Sequence, residues 1–154
     1  MSIDSLQRGS LIGILGGGQL GRMLAMSAAR LGFRTHIYSP AGDNPAFAVC
    51  NQHTQAEFDD EAALRAFAKT CDVVTYEWEN VPVDVCDLIE TVCPVRPGAD
   101  VLRISQDRIA EKTFISGLGI PVPDFHPAGT LAELEEAVAQ IGRCLLYTSP
   151  SPRD

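Results

Sequence analysis

A glycine-rich turn between a strand and a helix is the part of this sequence best suited to bind an anion. Residues 16–21 read Gly-Gly-Gly-Gln-Leu-Gly; they follow the apolar run 11–15 and precede a helix-like stretch. At such a junction, unpaired N–H groups and the positive end of the helix dipole favour a phosphate. The match to G-x-G-x-x-G is weak evidence for a dinucleotide. The turn alone leaves a dinucleotide, a phosphorylated small molecule and a purely structural turn open.

The second predicted strand lacks the carboxylate that a dinucleotide site needs. In such sites an acidic residue about 20 residues beyond the glycines holds the ribose hydroxyls. Here the strand 34–38 ends in Ser-Pro-Ala-Gly, and Asp43 comes later, in a loop rich in Pro and Gly. Gln19 and Leu20 also place an amide and a bulky apolar group between the glycines. We therefore favour a phosphorylated small molecule over a dinucleotide.

A second polar segment follows the predicted strand 72–76. It comprises residues 77–82, Glu-Trp-Glu-Asn-Val-Pro, and is called the acid loop below. Ligands of parallel α/β sheets collect at the carboxyl ends of the strands, so we expect the acid loop and the glycine turn to form one site. On an extended chain Glu77 and Glu79 share one side. With Asn80 they can accept hydrogen bonds from an amine or from ribose hydroxyls; alternatively, one of the two acids caps the helix that follows.

The elements that must position these segments alternate between strand and helix over the first hundred residues. Besides the strands, helices are predicted over 20–31, 61–69 and 83–92. Such alternation is typical of α/β proteins with a doubly wound parallel sheet, here of a Rossmann-like kind.

A mainly helical region is predicted after residue 98. Ser105 can act as the N-cap of a helix that ends at Gly117 or Gly119. Arg108 and Lys112 lie four residues apart on one face of this helix. They can meet an anion together, or they are ordinary solvated surface charges.

The sequence Thr130-Leu-Ala-Glu133 is a capping box, and Gly142 would end the helix that it begins. This helix carries an apolar stripe that includes Leu134 and Val138. No sheet is predicted nearby to cover the stripe, so we expect it to be exposed.

Charge and hydropathy narrow the class of protein. A formal charge of −8 argues against a nucleic-acid surface, because phosphate backbones are bound by clustered Lys and Arg. There is no run of about 18 apolar residues, and the first ten residues do not resemble a signal peptide. We expect a cytoplasmic protein that binds neither nucleic acid nor membrane.

The cysteines and histidines show no metal-binding or catalytic spacing. The five cysteines are odd in number and contain no C-x-x-C pair, so disulfides and zinc sites are not expected. We expect them to pack as small hydrophobic residues: Cys50, Cys71, Cys86, Cys93 and Cys144. His36 alternates with apolar neighbours on a strand and is predicted to be structural.

Four segments, in their order along the chain, resemble those of the N5-carboxyaminoimidazole ribonucleotide synthase family of the ATP-grasp superfamily. They are residues 16–23, 75–82, 106–112 and 119–123, and the likeness extends over residues 10–142. The family comprises the ATPase subunits of phosphoribosylaminoimidazole carboxylase. The resemblance implies an ATP-dependent ligase that joins 5-aminoimidazole ribonucleotide to bicarbonate through a carboxyphosphate, in de novo purine synthesis.

The resemblance also implies site residues, cofactors and assembly. The ribonucleotide would contact Gly18, Gln19, Leu20, Glu77, Glu79 and Asn80. ATP would contact Arg108 and Lys112. Mg²⁺ would accompany ATP, but its ligands and the catalytic residues are expected outside this chain, and the full-length protein is expected to be a homodimer.

The same resemblance divides the chain into three parts. It implies a pre-ATP-grasp α/β domain over residues 1–98, followed by a linker helix and the start of a truncated ATP-grasp domain over 99–142. Residues 143–154 depart from the family pattern and contain the Ser-Pro-Ser-Pro string 149–152, so we expect a non-native tail. The phosphate-covering loop and the metal-binding carboxylates of the family are missing, so we expect an inactive fragment. The alternatives are another ATP-grasp enzyme, such as a formate-dependent glycinamide ribonucleotide transformylase, or a non-catalytic nucleotide-binding module.

Overall fold

The computed structural model describes residues 6–142. The predicted non-native tail at 143–154, with Cys144, lies outside the described residues. The chain divides into two compact units after Gln106, eight residues beyond the domain boundary predicted at 98.

The first unit contains a parallel four-stranded sheet. Its strands are β1 (Leu11–Leu15), β2 (Arg34–Ser39), β3 (Gln52–Gln55) and β4 (Val73–Tyr76), in the order β3-β2-β1-β4. The parallel sheet predicted from the sequence is confirmed. Strand β3 was not predicted, because its sequence Gln-His-Thr-Gln has no apolar alternation and it forms the mostly exposed edge of the sheet.

Helices of the first unit connect and follow the strands. They are α1 (Gln19–Arg30), α2 (Glu61–Thr70), α3 (Val83–Glu90) and α4 (Ala99–Ser105), with a short 3₁₀ helix at Pro45–Ala48. Gly32 has a φ of 85° and terminates α1 as the sequence predicts. The Asp60 carboxylate accepts a hydrogen bond from the Ala63 N–H and caps α2.

Both faces of the sheet are covered. Consecutive residues of a strand point to opposite faces, and the central strands contribute to two separate core clusters. Ile14 and Ile37 belong to one cluster, whereas Leu15 and Tyr38 belong to the other, which also holds the buried residues of α2, α3 and α4. The doubly wound arrangement is therefore confirmed.

The second described unit contains α5 (Arg108–Gly117) and α6 (Leu131–Ile141). The prediction of Ser105 as the N-cap of α5 was wrong. Ser105 is the last residue of α4, and its hydroxyl donates to the Leu102 carbonyl. Asp107 caps α5 instead, because its carboxylate accepts hydrogen bonds from the first free N–H groups of that helix at 2.8–2.9 Å.

Helix α6 begins with the predicted capping box. The Thr130 hydroxyl accepts from the Glu133 N–H, and the Glu133 carboxylate accepts from the Thr130 N–H. Its apolar stripe is exposed as expected, with Leu134 at 51% and Val138 at 36%.

His36 is a buried structural residue, as the sequence predicts. The Thr70 hydroxyl donates to the Phe67 carbonyl, so it accepts from Nδ1 of His36 at 2.9 Å. In the neutral ring Nε2 then accepts from the Thr54 hydroxyl at 2.8 Å. Burial, followed by the nearby His53, lowers the pKa of His36.

Two of the cysteines pack in the core, as expected. Cys86 and Cys93 are buried in the larger core cluster. Burial raises the pKa of the Cys86 thiol to about 12 and that of Cys93 to about 11, so neither forms a thiolate near neutral pH. None of the helices described for residues 6–142 has the length and hydropathy needed to span a bilayer.

Candidate functional site

The glycine turn and the acid loop lie side by side because β1 and β4 are neighbours in the sheet. The N–H of Glu77 donates to the Leu15 carbonyl at 3.1 Å, one step beyond the last strand pair. The expectation that these two segments meet at the carboxyl edge of the sheet is thus confirmed.

The side chain of Glu77 occupies the N-terminus of α1. Its Oε1 accepts from the Gly18 N–H at 3.2 Å, and its Oε2 accepts from the Gly21 N–H at 2.9 Å. Gly18 is the N-cap of α1, which has no acidic residue in its first turn. The Glu77 carboxylate therefore supplies the negative charge that stabilises the positive end of the α1 dipole.

This arrangement differs from two of the uses expected for these residues. A phosphate was the predicted ligand of the glycine turn, but in the structure the anion at those N–H groups belongs to Glu77. Glu77 also does not cap the helix after the acid loop, since the N-cap of α3 is Pro82, without a side-chain hydrogen bond. The sequence could not show this pairing, because it joins residues 56 to 59 positions apart.

Two glycines are required for this close approach. Gly16 has a φ of 112°, and a Cβ at this position would overlap the Glu77 side chain. A Cβ on Gly21 would lie 2.6 Å from the Gly16 carbonyl oxygen. The turn is therefore packed directly against its own backbone and the acid loop.

The acid loop is not extended, and that expectation was wrong. The chain bends over residues 77–81, so that Glu77 is half-buried while Glu79 and Asn80 are exposed. Two anchors explain the bend. Glu77 binds the start of α1, and Nε2 of Gln106 donates to the carbonyls of Glu79 at 2.6 Å and Val81 at 2.8 Å. Sequence reasoning missed this role of Gln106, although the residue stands in the 106–112 segment that carries the family resemblance.

The loop after β2 closes the other side of the glycine turn. The N–H of Ala46 donates to the Gly17 carbonyl at 3.0 Å, and a Cβ on Gly17 would overlap Oδ1 of Asn44. Nη1 of Arg22 donates to the Pro45 carbonyl at 3.2 Å. Strand β2 itself ends at Ser39, so its tip lacks the ribose-binding carboxylate of a dinucleotide site.

The exposed side chains at this edge differ in chemistry. Gln19 and Leu20 are the first residues of α1 and are exposed, Leu20 at 57%. With Glu79 and Asn80 of the acid loop they offer amide and carboxylate groups beside an apolar one. Such a surface can hydrogen-bond hydroxyls and amines and contact a flat ring.

The predicted ATP-binding residues belong to the second unit. Nη1 of Arg108 pairs with Oε2 of Glu111 at 2.6 Å, and Nζ of Lys112 lies 5.4 Å from the centre of the Phe125 ring. Both lie on α5, as predicted. Within residues 6–142, no three His, Cys, Asp or Glu side chains come together as a metal ion would need.

Residues 10–106 match the family model of the ribonucleotide synthetase preATP-grasp domain. An N5-carboxyaminoimidazole ribonucleotide synthase of Brucella melitensis is 50% identical over 142 residues, which cover 92% of this chain and 38% of that protein.

Solved structures of the same kind of synthase also match this chain. The N5-carboxyaminoimidazole ribonucleotide synthetase of Thermus thermophilus matches with a TM-score of 0.81 and 46% identity, over 85% of this chain and 36% of its own. An N5-carboxyaminoimidazole synthase of Aspergillus clavatus, solved with ADP and 5-aminoimidazole ribonucleotide, matches with a TM-score of 0.77 and 33% identity, over 88% of this chain and 37% of its own. The chain therefore spans little more than a third of the length of these relatives.

Proposed function

The chain belongs to the family of ribonucleotide synthetase preATP-grasp domains, and we propose that it supplies the ribonucleotide-binding part of an N5-carboxyaminoimidazole ribonucleotide synthase. The whole enzyme would use ATP to join 5-aminoimidazole ribonucleotide to bicarbonate in de novo purine biosynthesis. The observation that carries this proposal is the match to the Aspergillus clavatus synthase, which was solved with ADP and that ribonucleotide.

The described geometry suggests a division of roles at the ribonucleotide site. The carboxylate of Glu77 is engaged with the backbone of α1, so it would shape the glycine turn. Glu79 and Asn80 would accept hydrogen bonds from the amine or the ribose hydroxyls. Gln19 would add an amide and Leu20 an apolar contact to the imidazole ring. Gly18 would let the ligand approach the backbone closely.

The phosphate of the ribonucleotide is assigned to groups outside the glycine turn. An anion at the turn would have to displace the Glu77 carboxylate, which already accepts from the Gly18 and Gly21 N–H groups. Two anions on the same N–H groups would also repel each other. The turn would therefore hold the nucleoside part of the ligand.

Arg108 and Lys112 are proposed to contact ATP. Phosphoryl transfer depends on positioning and on cations around the developing charge, and both side chains are cationic. Mg²⁺ would accompany ATP and offset its phosphate charge, and residues elsewhere in the enzyme would hold it. The whole enzyme would use bicarbonate as its co-substrate. It would be a homodimer and would act in the cytoplasm.

The ribonucleotide site is tested by calorimetric titration of the 154-residue chain with 5-aminoimidazole ribonucleotide, NAD and glycinamide ribonucleotide. We expect 5-aminoimidazole ribonucleotide to bind, and NAD to give no heat of binding. Asn80→Ala should weaken binding about tenfold, because one hydrogen bond to a polar ligand group is worth about 1 kcal/mol or somewhat more. Gln140→Ala, at an exposed position of α6, is the control and should bind as the wild type does.

Two results would contradict the proposal. Binding of NAD without binding of the aminoimidazole ribonucleotide would indicate a dinucleotide module. Tighter binding of glycinamide ribonucleotide would indicate a different ATP-grasp enzyme.

A further inference from the structure

We propose that Gln106 is a positioning residue, which fixes the acid loop in the shape that presents Glu79 and Asn80 to the ribonucleotide. The inference rests on the proposed function for its ligand. The hydrogen bonds that carry it belong to the fold and are independent of that ligand.

The carboxamide of Gln106 is matched to the acid loop. Its nitrogen has two hydrogens, and Nε2 donates one to the Glu79 carbonyl at 2.6 Å and the other to the Val81 carbonyl at 2.8 Å. The opposite orientation would place Oε1 against two carbonyl oxygens, so only the nitrogen fits here. The two carbonyls belong to the residues on either side of Asn80, whose backbone is therefore held on both sides.

The base of Gln106 is anchored in the core of the first unit. Gln106 is the C-cap of α4, and its N–H donates to the Leu102 carbonyl at 2.9 Å. Leu102 is buried at 1% exposure, and Arg103 ties the same helix to Asp87 of α3 at 2.9 Å. The side-chain amide thus projects from a fixed element, as a positioning group must.

The acid loop needs such an anchor in its middle. Its first residue is bound through the Glu77 carboxylate, and Val81 near its end is fully buried. The residues between them are exposed and turn through a bend. Ordering an exposed backbone residue costs roughly 1–2 kcal/mol, so a loop ordered before binding holds its ligand more tightly.

Trp78 reports directly on this loop, because it is the one tryptophan of the sequence and is 43% exposed. The variants are Gln106→Glu, which keeps the size but removes both donors, and Gln106→Leu, which removes all polar atoms. The matched control is Gln140→Leu on α6. Acrylamide quenching of Trp78 and calorimetric affinity for 5-aminoimidazole ribonucleotide are measured for each, with far-UV circular dichroism as a check on folding.

We expect both Gln106 variants to keep the wild-type circular dichroism and to show Trp78 quenching raised about twofold. Affinity for the ribonucleotide should fall about tenfold, as expected for the loss of hydrogen bonds that pre-order a loop. In Gln106→Glu, lowering the pH towards 4 should partly restore protection of Trp78, since a protonated carboxyl regains one donor. The wild type should show no such recovery.

Unchanged quenching and unchanged affinity in Gln106→Glu would overturn the proposal. If Gln106→Leu fails to fold, Gln106→Glu still decides the question. If the wild type does not bind the ribonucleotide while quenching rises in the variants, the proposed function fails and the anchoring of the loop stands. The two failures are therefore distinguishable.

Discussion

Removal of the Glu77 carboxylate should release the start of α1 from the acid loop. Both carboxylate oxygens are engaged, one with the Gly18 N–H and one with the Gly21 N–H. Hydrogen bonds to a charged group contribute about 1.5–3 kcal/mol each, and the half-exposed position of this group argues for the lower end. The helix dipole adds roughly 0.3–1 kcal/mol. We therefore expect Glu77→Ala to lower the free energy of unfolding by about 3 kcal/mol.

Urea and thermal unfolding, followed by circular dichroism, measure this loss. For a unit of this size, a change of about 3 kcal/mol lowers Tm by roughly 10–20 °C. Glu77→Gln should lose about half as much free energy, because one carbonyl oxygen can still accept a hydrogen bond. Asp43→Asn is the matched control: it removes one carboxylate charge from an exposed residue of the loop after β2. It leaves the hydrogen bonds to the N–H groups of α1 in place, so its loss of free energy should be clearly smaller.

Inorganic phosphate provides the decisive second measurement. In Glu77→Ala the N–H groups of the glycine turn become available, so phosphate should raise Tm more than it does for the wild type. At ten times its dissociation constant, the gain would be about 1.4 kcal/mol. Equal stabilisation of both proteins, or a Glu77→Ala variant as stable as the wild type, would refute the assignment of Glu77 as the anion at this turn.

Three further predictions concern the glycine turn, the buried histidine and the N-cap of α5. Gly16→Ala should lower the free energy of unfolding in urea by more than about 2 kcal/mol, because it combines a positive φ with overlap on the Glu77 side chain. The control is Gly9→Ala, which has a φ of 89° but open space around it. It should lower the free energy of unfolding by only about 1 kcal/mol. The lowered pKa of His36 means that the unfolded chain binds the proton more readily, so stability should fall as pH drops through about 6.5 towards 5. His36→Gln should flatten that part of the profile, and an unchanged slope would contradict this origin. Asp107→Ala should lower the stability of α5 by about 1 kcal/mol and speed amide exchange in its first turn, while Ser105→Ala should do neither. A larger effect of Ser105→Ala than of Asp107→Ala would show that Ser105 is the cap.

The regular elements that could be predicted are those with strong local signals. Tertiary information is not needed to identify the apolar run of β1, the β-branched and aromatic residues of β2, or the glycine that ends α1. Strand β3 could not be predicted, because Gln-His-Thr-Gln becomes a strand only by pairing with β2. The start of α5 was misplaced because Ser105 and Asp107 both have the character of an N-cap, and sequence alone does not choose between them.

For the candidate site, the sequence predicts which segments meet at the sheet edge but not the contacts between them. The rule that ligands collect at the carboxyl ends of parallel strands brought the glycine turn and the acid loop together correctly. The contacts within that edge were not predictable. The bonds of Glu77 to α1 and of Gln106 to the acid loop join residues 25 to 59 positions apart, and such pairings depend on the packed fold.

Mapping of backbone amide shifts by NMR during titration with 5-aminoimidazole ribonucleotide tests the central claim most directly. The proposed site predicts saturable shifts at Gln19, Leu20, Glu79 and Asn80, while α6 stays unchanged. Shifts confined to other parts of the chain, or no saturable shift at this edge of the sheet, would contradict the claim that the glycine turn and the acid loop bind the ribonucleotide.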